Sequence, residues 1–307
     1  MRCRMCGATA VINMRVHKLS LCAEHFQTWF VKQTNRTIRK YAMFGLDDRV
    51  LVAVSGGKDS LVLWDVLLQE GYKADGLYIH LGIDGGIDYS WRSLEKVKVF
   101  AAQHPEARLI EVNIPEMYGE SVPEVAARRQ REDRPCSVCG LIKRHEMNRI
   151  AKDQQYDVLV TGHNLDDEVA VLFSNVLHWQ VGYLQRQYPV LKADDEGFSR
   201  KVKPFCRFYE RETAAYALTR GIDYIYEECP FSRGATSLRY KDILTRMEHQ
   251  TPGTKMHFYT KFLKAKEDGL ICGALDFKHV MTVCSQCGQP TTAEGLCSFC
   301  RLWDQAP

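Results

Sequence analysis

The stretch VLVAVSGGKDS, Val50–Ser60, joins a short apolar run to two glycines, a lysine and two serines. Val50–Val54 reads as a buried strand, because the run is brief, apolar and rich in β-branched residues. Gly56 and Gly57 permit a tight turn and a close backbone approach. The following SLVLWDVLLQE, Ser60–Glu70, reads as a helix with Leu61, Trp64, Leu67 and Leu68 on one face. Its first N–H groups would point back at the loop, where a phosphate or pyrophosphate would fit. The loop is not of the common kinase or GTPase type, which needs G-x-x-x-x-G-K and then Ser or Thr. Here Lys58 precedes Asp59 and the earlier glycine is missing; G-x-G-x-x-G is also absent. Spacing alone equally allows an ordinary glycine-containing strand–helix turn.

Outward from this loop, strand-like and helix-like segments alternate. ADGLYIHLGI (Ala74–Ile83), ARLIEVNI (Ala107–Ile114) and DVLVTGHN (Asp157–Asn164) read as strands. SWRSLEKVKVFAAQHP is expected to be a helix ending before Pro105, and LDDEVAVLFSNVLHW a helix after the fourth strand. ETAAYALTRGIDYI supplies one more helix and one more strand. EHFQTWFVKQTNRTIRKYAMFG is a helix stopping near Gly45, with a basic stripe of Lys32, Arg36, Arg39 and Lys40 that fits a solvated face as well as it fits RNA. Residues 241–270 look helical and basic, and their pattern assigns nothing further. The alternation predicts an α/β fold with a parallel sheet covered by helices on both faces. Ligands of such sheets bind beyond the carboxyl ends of the strands. Ser55, His80, the Gly162–Asp167 segment and the turn near Glu227 would lie there.

The chain has 307 residues, 45% hydrophobic and 26% charged, with a net charge of +3. That suits a globular protein of one large domain with small additions, leaning only weakly toward anionic partners. No apolar run has membrane-spanning length and no secretory signal is apparent, so a cytoplasmic location is expected. Twelve cysteines are present, and C-x-x-C pairs at Cys3/Cys6, Cys136/Cys139, Cys284/Cys287 and Cys297/Cys300 account for eight of them. In a reducing compartment such pairs favour metal ligation over disulfides.

CSQCGQPTTAEGLCSFC, Cys284–Cys300, holds two knuckles that can close a tetrahedral zinc site through Cys284, Cys287, Cys297 and Cys300. CRMC and LCAEH supply a second set, Cys3, Cys6, Cys22 and His25; otherwise His25 is a polar helix residue beside a buried Cys22. With every position filled, both sets read as structural. The expected organisation is therefore a zinc module over 1–28, a catalytic domain over 29–280 and a second zinc module over 281–307.

The middle pair differs. RPCSVCGLIKRHE contains Cys136 and Cys139 with no complement nearby; Cys206, Cys229 and Cys272 follow at a distance. Cys229, in EECPFSRG, lies just past a predicted strand and could reach the same sheet edge as the nucleotide loop. A redox couple, a third zinc knuckle and an incomplete iron–sulfur set all remain open on these residues alone. Cys206 and Cys272 read as small buried apolar residues. RRQREDR, Arg128–Arg134, fits either a grip on RNA phosphates or a solvated loop. IDGGIDYS is glycine-rich and carries no assigned function.

SGGKDS resembles the loop of the PP-loop ATP pyrophosphatases, which split ATP to AMP and pyrophosphate. Taken with GHNLDDE, CSVCG, EECP and both terminal cysteine modules, the chain resembles the tRNA 2-thiouridine synthetases from Cys3 to Cys300, most closely the TtuA type that thiolates the T-loop uridine. The resemblance implies that Ser55, Gly56, Gly57, Lys58, Asp59 and Ser60 hold the ATP phosphates, with Asp59 helping to place magnesium. It implies an adenosine side lined by Ala53, His80, Gly162 and His163. It implies a four-iron, four-sulfur cluster on Cys136, Cys139 and Cys229 with one iron open to incoming sulfur, and catalytic roles for Lys143 and Asp167. The implied partners are tRNA, a ubiquitin-like carrier ending in a glycine thiocarboxylate, the E1-like enzyme that activates that carrier, and a second copy in a homodimer. On the residues alone, Lys143 could be a surface lysine, Asp167 a helix-capping acid and His163 a strand-end core residue. Asp166 and Glu168 compete with Asp167 for the same work. Three alternatives stand beside this reading: thiolation of the wobble uridine (position 34 rather than 54), a non-catalytic zinc-ribbon RNA-binding protein, and a synthetase that adenylates a small molecule.

Overall fold

The computed structural model describes residues 1–130, 135–193, 197–232, 236–271 and 281–304. The chain opens with the hairpin β1 (Ile12–Met14) and β2 (Leu19–Leu21) and then α1 (Ala23–Lys40). β3 (Arg49–Val54), α2 (Lys58–Gln69), β4 (Lys73–His80), α3 (Tyr89–Ala102) and β5 (Leu109–Asn113) follow. Next come α4 (Ile114–Tyr118), α5 (Val122–Arg128), the long α6 (Pro135–Asp153), β6 (Val158–Thr161), α7 (Leu165–Leu177) and α8 (Val181–Arg186). The rest is β7 (Val190–Leu191), β8 (Lys201–Val202), α9 (Glu210–Arg220), α10 (Thr236–Gln250) and α11 (Thr254–Glu267), then β9 (Thr282–Val283), β10 (Pro290–Thr291) and α12 (Cys300–Trp303).

The central sheet has the order β5-β4-β3-β6-β8-β7. Its pairs are parallel except β7 with β8, which run antiparallel. The four long strands are those expected. The strand expected after α9 is absent: Gly221 is the left-handed cap of α9, Ile222–Ile225 pairs with no strand, and β8 takes the place beside β6. That segment instead lies across the Ser55–Ser60 loop, with Ile225 N–H donating to the Gly56 carbonyl at 2.9 Å. α1 also stops short of Gly45. Ala42 turns into the left-handed region (φ 45°), which carries Met43 and Phe44 into the core.

Alternation along β3 divides the core. Val50, Val52 and Val54 face a cluster with α1, α2 and α3, Phe205, Phe208 and Tyr216. Leu51 faces the opposite cluster with α5 and α6. Each terminal module is built into one of these layers. Cys3, Ile12, Met14 and Leu21 join the first, and Cys284, Cys297, Phe299, Cys300 and Leu302 the second. A third cluster joins α7 and α8 to α10 and α11, the helices the sequence pattern left unassigned. No helix among the described residues is long and apolar enough to cross a membrane.

Candidate active site and metal centres

Between β3 and β6 the strand order reverses, so the loops that follow them open a crevice at the carboxyl edge. The Ser55–Ser60 loop sits in it. Ser60 Oγ donates to the Gly57 carbonyl at 3.0 Å and accepts from Ser55 N–H at 3.1 Å, closing the turn. Gly56 has φ +76°, and a Cβ there would lie 2.8 Å from Ser93 Cβ, so α3 presses on the loop. Gly57 is the N-cap of α2 and provides no side-chain cap bond. The first-turn N–H groups are thereby left for an anion.

The charges around the loop form one chain. Lys58 Nζ meets Asp59 at 3.1 Å and Glu210 at 2.8 Å. Lys241 meets Glu210 at 3.3 Å and Asp167 at 2.6 Å. Asp59 also accepts from Asn164 Nδ2 at 3.3 Å and from the Thr213 hydroxyl. Burial pushes Asp59 upward, although Lys58 opposes it. Burial alone would also raise Asp167, but Lys241 outweighs it and holds this carboxyl below its usual range. Glu210 is likewise held low by Lys241 and Lys58 against the effect of burial. Burial would lower Lys58, yet Asp59 and Glu210 raise it, so it stays charged. A polyphosphate entering here finds cations already gathered, at the cost of exchanging their carboxylate partners.

The acidic triplet of NLDDE resolves by partner. Asp166 is buried against Lys255, and Glu168 is buried against Lys203 at 2.7 Å and Tyr259. Asp167 instead turns to Lys241, in the charge chain beside the Ser55–Ser60 loop. Asp167 also completes a capping box with Asn164 (3.0 and 3.2 Å), so it is both a helix cap and a site residue. Sequence reasoning missed Glu210, Thr213 and Lys241, and took Asn164 only as part of the Gly162–Asp167 segment. Lys241 alone had a signal, as part of a basic helix without an assigned place.

His80 ends β4 with both ring nitrogens buried and without a hydrogen-bond partner, and its ring lies 4.4 Å from that of Trp91. Burial lowers its pKa, so it stays neutral near pH 7. Orphaned polar atoms beside the loop fit a polar ligand. His163 lies exposed at the mouth, its Nδ1 2.8 Å from Thr161 Oγ1. Ala53 is half-buried in β3, next to Thr161 of β6. A cavity of about 490 Å³ lies behind the charge chain and shares Asp166 and Glu210 as wall residues.

Cys136 and Cys139 occupy the first turn of α6, and Lys143 lies half-buried one turn later. Cys229 precedes the short turn Pro230–Ser232, which packs on α6: Cys136 Sγ donates to the Phe231 carbonyl at 3.4 Å. Burial raises the Cys229 thiol, Cys139 and Cys136 add to that, and Lys143 opposes it, so all four groups share one neighbourhood. Among the described residues, the two sets whose donor atoms all lie within 4.8 Å of one another are Cys3, Cys6, Cys22, His25 and Cys284, Cys287, Cys297, Cys300. Zn–S bonds of about 2.3 Å place tetrahedral sulfurs about 3.8 Å apart. The separations are 3.8 Å for Cys6–Cys22, 3.7 Å for Cys284–Cys300 and 3.8 Å for Cys287–Cys297. His25 Nδ1 completes the first set, 3.2 Å from Cys22 Sγ and 3.7 Å from Cys3 Sγ. Both sets fit zinc.

The basic segments divide. Arg128 pairs with Glu120 at 2.6 Å and donates to the Leu302 carbonyl, and Arg129 caps the carbonyls ending α12. These two hold the C-terminal module; residues 131–134 lie outside the described set, as does Cys272. Lys32, Arg36, Arg39 and Lys40 lie on α1. Cys206 is buried, as expected, and its thiol is pushed up to about 12 by burial.

Residues 2–27 match the family described as 2-thiouridine synthetase TtuA, N-terminal LIM domain, and residues 48–178 match the tRNA methyl transferase HUP domain. The chain is 48% identical over 304 residues to the tRNA-5-methyluridine(54) 2-sulfurtransferase of Thermus thermophilus, covering 99% of this chain and 91% of that protein. It is 42% identical to the protein of the same name from Pyrococcus horikoshii, covering 99% and 94%. The fold is shared with the U34-tRNA thiolase NcsA of Methanococcus maripaludis, solved with its [4Fe-4S] cluster: TM-score 0.77 over 98% of this chain and 95% of that one, at 24% identity. With a PP-loop in the crevice and relatives this similar along its whole length, the chain belongs to the TtuA-type family of PP-loop tRNA 2-thiouridine synthetases.

Proposed function

We propose that the chain is an ATP-dependent tRNA 2-thiouridine synthetase acting on the T-loop uridine, position 54. The observation that carries this reading is the crevice itself. The SGGKDS loop and the Cys229 segment meet there, bonded through Ile225 N–H and the Gly56 carbonyl at 2.9 Å, in a chain 48% identical to a position-54 sulfurtransferase.

The uridine C2 oxygen is a poor leaving group, and its attack on the α-phosphorus of ATP, with loss of pyrophosphate, makes it a good one. The α2 N-terminus and Lys58 stabilise the departing pyrophosphate, and Asp59 is placed to hold its magnesium. Ala53, His80, Gly162 and His163 line the nucleoside side. Asp167, kept ionised by Lys241, is suited to take a proton in the crevice. A sulfur nucleophile then adds at C2, and AMP leaves with the former C2 oxygen.

Cys136, Cys139 and Cys229 would hold a four-iron, four-sulfur cluster. The three thiols do not form a set with all donor atoms within 4.8 Å of one another, as ligands to separate irons need not. Such a cluster supplies an iron with an open position for sulfur. Lys143 lies on the same face of α6 as Cys139 and can stabilise negative charge developing at C2–O. The family likeness supports a ubiquitin-like thiocarboxylate carrier as donor, its E1-like activating enzyme and a homodimer.

The test is anaerobic reconstitution with iron, tRNA, ATP and sulfide, followed by mass spectrometry of position-specific tRNA fragments. Sulfur at position 54 is expected, with roughly four irons per chain. Sulfur at position 34 would move the substrate to that of the more distant relatives, and absence of AMP formation would leave a binding protein. Lys58→Ala is expected to abolish pyrophosphate–ATP exchange while the zinc content stays, and Cys229→Ala to lose iron and thiolation while exchange stays.

A further inference from the structure

The glycine-rich loop Ile83–Ser90 has no part in the chemistry above, yet it touches the residue that follows the third cysteine. Gly85 has φ +64°, and a Cβ there would run into the ring of Pro230, approaching its Cβ to 2.6 Å. Pro230 is the residue after Cys229. Gly86, next in the loop, has φ +78°, and a Cβ there would meet nothing within 4 Å. The loop is stiff. Ile83 N–H donates to Ser90 Oγ at 3.0 Å, Ser90 N–H returns a bond to the Ile83 carbonyl at 2.9 Å, and Asp84 Oδ1 accepts from Gly86 and Asp88 N–H at 3.2 and 3.0 Å.

The arm carrying Cys229 is fastened on its other side to α3. Lys96 holds Asp223 at 2.8 Å and Arg92 holds Glu227 at 2.6 Å. Between these pairs Ile225 is bonded to Gly56. Tyr89, where the loop enters α3, packs in the cluster containing Cys139, Cys229 and Phe231.

We propose that the Ile83–Ser90 loop is the seat that positions Cys229 against Cys136 and Cys139, with Gly85 as its positioning residue, so that nucleotide loop and cluster ligand share one support. This rests on reading the three cysteines as the cluster ligands. A methyl at Gly85 meets a closed ring on one side and a cross-braced loop on the other. Pro230 must retreat, and Cys229 moves with it.

The test compares Gly85→Ala with Gly86→Ala, which carries the same left-handed backbone strain but no collision. After anaerobic reconstitution, Gly85→Ala is expected to hold roughly fivefold less iron and to show a weakened charge-transfer absorption, since ligand shells displaced by an ångström lose their metal. Its zinc content and pyrophosphate–ATP exchange stay within about twofold of the parent, and Gly86→Ala keeps its iron. A second readout needs no iron: mild oxidation of the apoprotein, with peptide mapping, should join Cys229 to Cys136 or Cys139 in the parent and Gly86→Ala but not in Gly85→Ala. Parent-like iron and disulfide yield in Gly85→Ala, or equal losses in both variants, overturn the proposal. A parent protein that takes up no iron would instead sink the cluster reading, and the disulfide pattern would still decide the seat. Should Gly85→Ala also lose zinc or helical signal, Arg92→Ala, which frees the arm without crowding it, carries the same expectation and the same overturning result.

Discussion

Gly162 lies so close to Asp59 that a Cβ on it would stand 2.8 Å from the Asp59 carbonyl oxygen. The end of β6 is thus packed on the first turn of α2, where the phosphate loop becomes helix. Gly162→Ala must push that turn aside or be strained by it, at a cost of about 1–3 kcal/mol. Pyrophosphate–ATP exchange is expected to fall at least roughly tenfold, because a misplaced anion site loses its aim. Unchanged exchange, measured beside a thermal melt showing the fold intact, would contradict this role.

Lys241 holds both Asp167 and Glu210 below the ordinary carboxylate range. For a depressed carboxyl, ionisation survives to lower pH than usual. Removing the cation by Lys241→Ala lets both carboxyls titrate higher, so the acid limb of the adenylation profile should move to higher pH. That is the direction expected on loss of an adjacent opposite charge. A limb that stays in place would separate Asp167 from catalysis.

Glu212 is buried, and burial raises its carboxyl to about 8. It accepts from Tyr209 N–H at 3.0 Å; the titratable groups near it are His17 at 3.6 Å, Arg211 and Asp166. The folded state therefore binds a proton that the unfolded state gives up near its ordinary value of 4.5. Stability should be highest on the acid side of that value for this group and decline as pH rises toward about 8. Glu212→Gln keeps the acceptor and removes the ionisation. Its melting temperature should exceed the parent's at pH 8 and match it near pH 5; parallel curves would show that Glu212 does not titrate in this window.

Metal analysis of anaerobically prepared protein should give about two zinc ions per chain, one for each four-donor set. Cys300→Ser should reduce this to about one and lower stability, since structural zinc binding is folding free energy. The loss should also reach α6. His145 Nε2 lies 3.5 Å from Cys287 Sγ, and its ring stacks on Phe299 at 3.5 Å. Asn148 Nδ2 donates to Gln289 Oε1 at 3.0 Å. Amide exchange along Pro135–Asp153 should accelerate in the variant, and protection equal to the parent's would uncouple module from helix.

The sequence shows most clearly those parts of the site whose geometry is local. SGGKDS is one turn, and each zinc knuckle is a pair of donors three positions apart, so neighbours in the chain are neighbours in space. Lys241 and Glu210 could not be read this way, because each reaches the crevice from its own helix and nothing near Asp167 encodes its partner. β7 and β8 are two residues long each, too short for any alternation to register. Ile222–Ile225 carries a strand-like pattern, but Ile225 spends its N–H on Gly56 and its neighbours are drawn to α3 by Asp223 and Glu227. Cys229 is expected at the sheet's carboxyl edge as the sequel to a strand that does not form; the Ile225–Gly56 bond and the ion pairs of Asp223 and Glu227 to α3 bring its segment there instead. Its seat could not be foreseen, since the fit of Gly85 to Pro230 joins two loops far apart in sequence.

α6 runs unbroken from Cys136 and Cys139, past Lys143, to the residues gripping the C-terminal module. An unbroken helix works as a ruler graduated in residues: each adds about 1.5 Å of length and about 100° of rotation. One residue inserted between Cys139 and Lys143 would swing the lysine a quarter-turn or more away from the sulfur ligands, and no side-chain rearrangement could bring it back. A one-residue deletion between Cys139 and His145 therefore turns one end of the helix against the other, a change of geometry that a single side-chain substitution does not make.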